Sequence, residues 1–177
     1  ASDFSRVAGY DISPDMIHVA RGKHAAANGS AVQFEVADLE EGIPAPDACA
    51  DLVVMGMGVA SDVRDISAVL HEVERVLKHG GKALLSFYNR NALIYTWKYI
   101  PWPLTLIASI NPDRHCLDVN WDVASDSEQD SRTFHIYARP YTLEDIESLM
   151  PGGLVLTRQF TYPTVASVLP DVLFVYP

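Results

Sequence analysis

The sequence has few cysteines and few cationic side chains, and each shortage excludes a class of protein. Its two cysteines, Cys49 and Cys116, are too few for a disulfide framework or a structural zinc site, and they indicate a reducing compartment. Only 13 Lys and Arg side chains oppose 23 Asp and Glu, which gives a net charge of −10. Because binding to nucleic acid needs a basic surface, this balance disfavours DNA or RNA as a partner.

Long hydrophobic runs are also missing. The longest apolar stretches, such as 102–110, fall well short of the roughly 18 residues that a membrane span requires. The opening residues, ASDFSRVAGYD, lack the basic and apolar blocks of a secretory signal. The composition, 49% hydrophobic and 20% charged over 177 residues, is typical of one globular domain. We therefore expect an acidic, cytoplasmic protein that does not enter membranes.

The first half of the chain alternates short β-rich runs with helical patterns, which is typical of a parallel sheet with helices on its faces. The predicted strands are 6–11, 32–36, 51–55 and 82–88, and the predicted helices are 13–28 and 65–78. The second helix carries an apolar face of Ile66, Val69, Leu70, Val73, Val76 and Leu77. We expect it to stop at Gly80-Gly81.

The second half is less regular. Its predicted elements are helical pieces at 91–110, a polar loop at 118–130 and strands at 132–138 and 154–162. Thr142 with Asp145 three residues on resembles a capping box, which predicts a helix through Met150.

Acidic residues follow the first two predicted strands, at the strand ends where ligands of doubly wound sheets bind. Asp11 can accept hydrogen bonds from both hydroxyls of a ribose, or it can cap the helix that follows. Asp38 can accept a hydrogen bond from an adenine amino group while Leu39 or Ile12 packs on the adenine ring. Alternatively, Asp38 is a solvent-exposed acid in a turn. The third strand ends at Met55-Gly56-Met57-Gly58, where the bare backbone lets a ligand approach closely.

As a set, four stretches resemble the class I S-adenosylmethionine-dependent methyltransferases. They are VAGYDISPDMIHVAR, VQFEVADLEEGIP, ADLVVMGMGVASDV and AVLHEVERVLKHGGKALLSFYN, and they cover about half of the chain, up to Asn89. The resemblance implies a doubly wound, Rossmann-like α/β sheet that is mostly parallel. It also implies S-adenosyl-L-methionine as cofactor, with Asp11 on its ribose and Asp38 at the adenine edge. The resemblance further assigns cofactor contacts to Ile12, Met16, Leu39, Met55 and Gly56.

One departure from the family concerns its first strand and Gly-rich loop, which normally precede the Asp11 strand and are absent here. Family topology places that strand between those that carry Asp11 and Met55. Without it, both neighbours would expose unpaired backbone groups and an apolar face, so the sheet is N-terminally incomplete. We expect the natural protein to be longer at its N-terminus, or another chain in an oligomer to supply the strand.

We expect a pocket for a small-molecule methyl acceptor after the fourth strand. Its candidate residues are Tyr88, Asn89, Arg90 and Tyr95. His115 is a candidate general base, although a loop histidine can equally be a plain surface residue. The chain is then one domain, with a cofactor-binding part (1–90), a substrate cap (91–140) and a C-terminal helix with strands (141–177). Without an H-E-x-x-H or paired-cysteine motif, we expect no metal site.

Three other functions stay open at this point. The first is a non-catalytic, methyltransferase-like module that binds a partner. The second treats VVMGMGVAS as a G-x-G-x-x-S loop for NAD(P), although no acid ends the next strand about 20 residues on. The third is an RNA methyltransferase, which the acidic charge disfavours.

Overall fold

The computed structural model describes residues 4–26, 32–91, 108–111, 116–120 and 133–161. These residues form the predicted mixed α/β fold. The strands are β1 (Val7–Asp11), β2 (Val32–Val36), β3 (Ala50–Met55), β4 (Leu77–Leu85), β5 (Ala108–Asn111), β6 (Cys116–Asn120) and β7 (Thr133–Tyr137). The helices are α1 (Pro14–Ala26), α2 (Val59–Asp62), α3 (Ile66–Val76) and α4 (Leu143–Leu149). In this part of the chain, every helix is too short or too polar to cross a membrane.

The first four strands form two parallel pairs. β1 pairs with β2, with Asp11 opposite Val36, and β3 pairs with β4, with Met55 opposite Leu85. Within the described residues the two pairs are separate sheets, so β1 and β3 are not hydrogen-bonded neighbours. Several of their apolar side chains are exposed: Val7, Val36, Leu52, Val54 and Leu84. That a further strand lies between β1 and β3 stays a prediction.

The core lies between α3 and the β3–β4 pair. The predicted apolar face of α3 is confirmed, because Ile66, Val69, Leu70, Val73 and Val76 are all buried. Ile66, Val69, Leu70 and Val73 pack with Met55, Ala60, Leu77 and Tyr141. Asp65 starts this helix, since its side chain accepts a hydrogen bond of 3.0 Å from the Ala68 N–H.

The predicted boundary between α3 and β4 was wrong. The helix ends at Val76, and the strand begins at Leu77 and passes through Gly80, whose φ is +78°. Ala50 of β3 pairs with Leu77, and the Cys49 N–H donates to the Val76 carbonyl over 2.9 Å. Pairing with β3 therefore overrides the glycine stop signal. The strand also ends at Leu85 rather than at residue 88.

Three expectations for the second half were also wrong. The segment 108–110 was predicted as helical and 118–120 as loop, yet both lie in an antiparallel sheet of order β5–β6–β7. Backbone pairing to neighbouring strands decides their conformation, which local composition does not show. The described residues 154–161 carry no strand, although their pattern predicted one.

The strand at β7 and the helix α4 are confirmed. Predictions for 92–107, 121–132 and residue 162 onward lie outside the described residues.

Candidate functional site

The two predicted nucleoside-binding acids lie at the same edge of one sheet. Asp11 is the last residue of β1, and Asp38 comes two residues after the end of β2. The strands are parallel, and the Ala37 N–H donates to the Asp11 carbonyl over 3.0 Å, so the pairing continues past the strand ends. Both acids therefore sit at the carboxyl edge where ligands of such sheets bind.

Each acid also shapes its own turn. Asp11 Oδ1 accepts a hydrogen bond of 2.8 Å from the Ser13 N–H, and Asp38 Oδ1 accepts one of 2.9 Å from the Glu40 N–H. The turn role considered for Asp38 is thus present, whereas Ser13 rather than Asp11 caps α1, since Ser13 Oγ accepts from the Met16 N–H over 3.4 Å. A carboxylate has two acceptor oxygens, so these turns leave Oδ2 of each residue with capacity for a ligand. Both residues are half-buried, which limits competition from water.

Apolar side chains flank the acids. Ile12 is 67% exposed and Met16 is 57% exposed, although both are large hydrophobic residues. Leu39 is half-buried and packs against the core, so it offers less free surface. Exposed apolar groups beside well-placed polar groups are typical of a small-molecule site, because they can cover a planar ring.

The end of β3 supplies backbone rather than side chains to this edge. Met55 is only 5% exposed and packs in the core, so its predicted role near the methionine moiety falls to its main chain. Among the described residues, no heavy atom lies within 4 Å of the place where Gly56 would carry a Cβ. Met57 and Gly58 follow in the left-handed region, at φ +57° and +84°.

Tyr88 closes over this turn. A Cβ built on Gly58 would lie 2.7 Å from Tyr88 Cζ and 2.9 Å from its hydroxyl oxygen, so a side chain at residue 58 would require the ring to move. The Gly58 N–H donates to Ser86 Oγ over 3.1 Å. The Tyr88 N–H in turn donates to Ser61 Oγ over 2.8 Å, and Ser61 is fully buried. The turn after β3 and the segment after β4 are therefore joined by side chains of both.

Asp62 and Tyr88 form a polar pair at this edge. Burial is the largest cause that raises the pKa of the Tyr88 phenol, followed by the nearby charge of Asp62. Burial also raises the pKa of Asp62, while the nearby Tyr88 phenol acts in the opposite direction. Asp62 is nevertheless exposed as a residue, so its carboxylate is accessible from solvent.

The segment after β7 holds Tyr88 from the other side. The Tyr141 N–H donates to the Tyr88 carbonyl over 2.8 Å, and the Arg90 N–H donates to the Tyr141 carbonyl over 2.9 Å. The Arg139 N–H donates to the Ser61 carbonyl over 2.8 Å. Asn89 bridges to Tyr141 as well. Three predicted acceptor residues, Tyr88, Asn89 and Arg90, thus lie together on a fixed segment.

Sequence reasoning missed that Gly58 lies against the Tyr88 ring. It also missed three other residues of this region: Ser61, Asp62 and Arg139. Asp62 and Tyr88 are 26 positions apart, and no spacing or motif links them. The predicted residues Tyr95 and His115 lie outside the described part of the chain. Among the residues that are described, no cluster of His, Cys, Asp or Glu is arranged to hold a metal ion.

Comparison with known proteins identifies the first half of the chain. Residues 1–85 match a family model described as a methyltransferase domain. Over these residues the chain is similar to the class I S-adenosylmethionine-dependent methyltransferases. The match runs from before β1 to the end of β4 and includes Asp11, Asp38 and Gly56. The family resemblance drawn from the sequence is thereby confirmed. No curated protein matches the chain.

Solved structures support the fold. The PH0226 protein from Pyrococcus horikoshii OT3 has a TM-score of 0.54 at 23% identity, with 81% of this chain and 60% of that chain covered. An S-adenosylmethionine-dependent methyltransferase from Mesorhizobium loti has a TM-score of 0.50 at 20% identity, with 82% and 61% covered. At these identities the likeness shows the Rossmann-like fold alone. The chain spans about three-fifths of the length of both proteins.

Proposed function

We propose that the protein transfers a methyl group from S-adenosyl-L-methionine to a small-molecule acceptor. The observation that carries this proposal is the placement of Asp11 and Asp38 at one edge of the β1–β2 pair, each half-buried and each with a spare carboxylate oxygen. The match of residues 1–85 to methyltransferase domains supports the same conclusion.

The residues at the β1–β2 edge suit the nucleoside half of the cofactor. Asp11 would accept hydrogen bonds from the ribose hydroxyls, and Asp38 would accept one from the adenine amino group. Ile12 and Met16 would cover the ring with the apolar surface that they now expose. Leu39 would lie beside it, and the main chain at Met55-Gly56 would face the methionine moiety. When bound, the cofactor supplies an electrophilic methyl group on sulfur.

The acceptor would bind after β4, where Tyr88, Asn89 and Arg90 are fixed by bonds to Ser61 and Tyr141. The enzyme's part in such a displacement is mainly to hold the acceptor in line with the methyl group. Tyr95 and His115 stay candidates for substrate contact and proton transfer. A net charge of −10 favours a small acceptor over RNA.

The alternatives have less support. In the NAD(P) hypothesis, the backbone at Gly58 must be open to a phosphate, but the Tyr88 ring occupies the space beside it. A module that only binds a partner is not favoured, because the matched family consists of methyltransferase domains. The reducing, cytoplasmic location inferred from composition stays a prediction.

Isothermal titration calorimetry with S-adenosyl-L-homocysteine, the demethylated product, tests the proposal. We expect saturable binding to one site, and no saturable heat with NADP⁺ under the same conditions. Absence of binding to S-adenosyl-L-homocysteine, or tighter binding of NADP⁺, would overturn the proposed function.

A further inference from the structure

We infer that Glu40 is a positioning residue, which holds Asp38 in place and thereby sets a preference for adenine over a purine without an amino group. The inference rests on the proposed function and deepens it. A chain of hydrogen bonds carries it, from the Asp38 carboxylate through Glu40 to the start of α3. The family resemblance drawn from the sequence gives Glu40 no role.

Glu40 forms hydrogen bonds in two directions. Its N–H donates to Asp38 Oδ1 over 2.9 Å. Its side-chain Oε1 accepts from the N–H groups of Arg64 and Asp65, the second over 3.0 Å. One residue therefore joins the Asp38 side chain to the segment that begins α3.

The start of α3 is a suitable anchor for a carboxylate. Main-chain N–H groups at the N-terminal end of a helix lack partners within the helix, and the helix dipole favours negative charge there. Asp65 caps α3 by accepting from the Ala68 N–H, and one face of α3 is buried in the core. Glu40 is thus tied to an element that is itself firmly packed.

Other bonds hold the segment on either side of Glu40. The Ala37 N–H bonds to β1, and the Ile43 N–H donates to Glu72 of α3 over 2.9 Å. Among the described residues between these two, the hydrogen bonds that reach a distant segment are those of Glu40. Leu39 packs against the core, but apolar packing is non-directional and does not orient a neighbouring carboxylate.

The anchor matters for recognition of the base. Because the Glu40 N–H holds Oδ1 of Asp38, the position of Oδ2 depends on where Glu40 lies. A hydrogen bond weakens steeply when its geometry departs from the favoured one. Adenine offers an amino group to Oδ2, whereas hypoxanthine carries a carbonyl oxygen at that position, which leaves two acceptors facing each other. Loss of the anchor should therefore reduce the discrimination between the two bases.

Calorimetry with two ligands tests the inference. The first is S-adenosyl-L-homocysteine, and the second is S-inosyl-L-homocysteine, which differs only in having hypoxanthine in place of adenine. The parent protein should bind the adenine ligand about tenfold more tightly or better. Glu40→Ala should lower this ratio by about threefold or more, whereas a general loss of structure would weaken both ligands alike. Equal binding of the two ligands by the parent protein would overturn the inference.

Two further variants are the controls. Glu40→Gln keeps an Oε1 that can accept from both N–H groups, because the two bonds meet on one oxygen. It should therefore keep the parent ratio. Glu41→Ala, the same truncation at the next residue, which is exposed, should keep it too. A parent-like ratio in Glu40→Ala, or an equal loss in Glu40→Gln, would show that the side-chain bonds of Glu40 do not position Asp38.

Amide hydrogen exchange without ligand separates this inference from the proposed function. Protection of the residue-40 N–H, corrected for the intrinsic rate of each side chain, should fall by about threefold or more in Glu40→Ala and persist in Glu40→Gln. If it does so but the parent binds neither ligand, Glu40 holds Asp38 and the proposed function is wrong. If the parent binds S-adenosyl-L-homocysteine but protection is unchanged in Glu40→Ala, the positioning role is wrong and the function stands.

Discussion

The ring of Tyr88 occupies the space in which Gly58 would carry a Cβ, so any side chain at residue 58 would displace the ring from the turn after β3. Gly58 also has a φ of +84°, where a Cβ is strained even in open space. The contact joins two segments that carry predicted site residues, Gly56 on one and Tyr88 on the other. It therefore links the packing of the sheet edge to the position of Tyr88.

Gly58→Ala should lower the free energy of unfolding by about 2–4 kcal/mol, the sum of left-handed strain and overpacking against the ring. Urea denaturation measures the change. Gly22→Ala is the matched control, because Gly22 lies in α1 and no described heavy atom is within 4 Å of its Cβ position. This second change should instead stabilise by about 0.5–1 kcal/mol, since alanine is the better helix former.

The same substitution in a Tyr88→Ala background separates its two causes. With the ring removed, Gly58→Ala should cost only the backbone part, about 1–2 kcal/mol. An equal cost in both backgrounds would show that Tyr88 does not constrain residue 58.

Glu72 should govern part of the acid sensitivity of the protein. Its Oε2 accepts from the Ile43 N–H at 2.9 Å, and Arg75 donates to both of its oxygens, at 2.7 and 2.8 Å. The bonds from Arg75, first, and from Ile43 lower the pKa of Glu72 from 4.5 to about 2. Because the folded pKa is the lower one, the stabilisation is complete above the unfolded pKa and is lost as pH falls through about 2.

Urea denaturation at a series of pH values between 5 and 2 tests this role, over roughly the range in which unfolded glutamate and folded Glu72 titrate. The free energy of unfolding should fall less steeply in Glu72→Gln than in the parent protein. Glu41→Gln, a change at an exposed glutamate, should keep the parent slope. A parent-like slope in Glu72→Gln would contradict the assignment.

The capping box of α4 makes a further prediction. Thr142 Oγ1 accepts from the Asp145 N–H at 3.1 Å, and Asp145 Oδ2 accepts from the Thr142 N–H at 2.8 Å. Thr142→Ala should therefore lower the free energy of unfolding by about 1 kcal/mol. It should also raise the Asp145 pKa part of the way to its usual value, because the backbone bond, the largest cause of its lowering, remains.

Thermal unfolding and a side-chain NMR titration measure these two effects. Ser148→Ala is the control, since Ser148 lies at the exposed end of the same helix and its hydroxyl bonds only the Asp145 carbonyl among the described groups. Its effect on stability should stay within about 0.5 kcal/mol. If Thr142→Ala and Ser148→Ala behave alike, the capping box does not stabilise α4.

Local sequence patterns predicted the helices and strands that are determined by interactions between residues close in sequence. Thr142 and Asp145 bond each other across one helical turn, and α3 shows its buried face directly in its spacing. The prediction of the boundary between α3 and β4 was wrong because Leu77 pairs as a strand residue with Ala50, which is distant in sequence. The strand predicted at 154–162 failed because an alternating pattern needs a partner strand to become one.

The residues of the candidate site likewise fall into those that local sequence predicts and those that only strand pairing brings together. Asp11 and Asp38 were predictable because each follows a strand, and parallel pairing then brings both to one edge. The contact of Tyr88 with Gly58 and the bond from its N–H to Ser61 arise only when β3 and β4 pair. No local pattern in the sequence encodes them.

The affinity of S-adenosyl-L-homocysteine for Asp11→Asn and Asp38→Asn tests the central claim most directly. Asparagine keeps the oxygen that accepts from Ser13 or Glu40, so each turn is preserved while the second acceptor oxygen and the charge are lost. Calorimetry should show binding weakened by about tenfold or more in each variant. Asp51→Asn, the same change at an exposed acid at the start of β3, should bind as the parent does. Parent-like affinity in both Asp11→Asn and Asp38→Asn would contradict the claim that these two carboxylates hold the nucleoside.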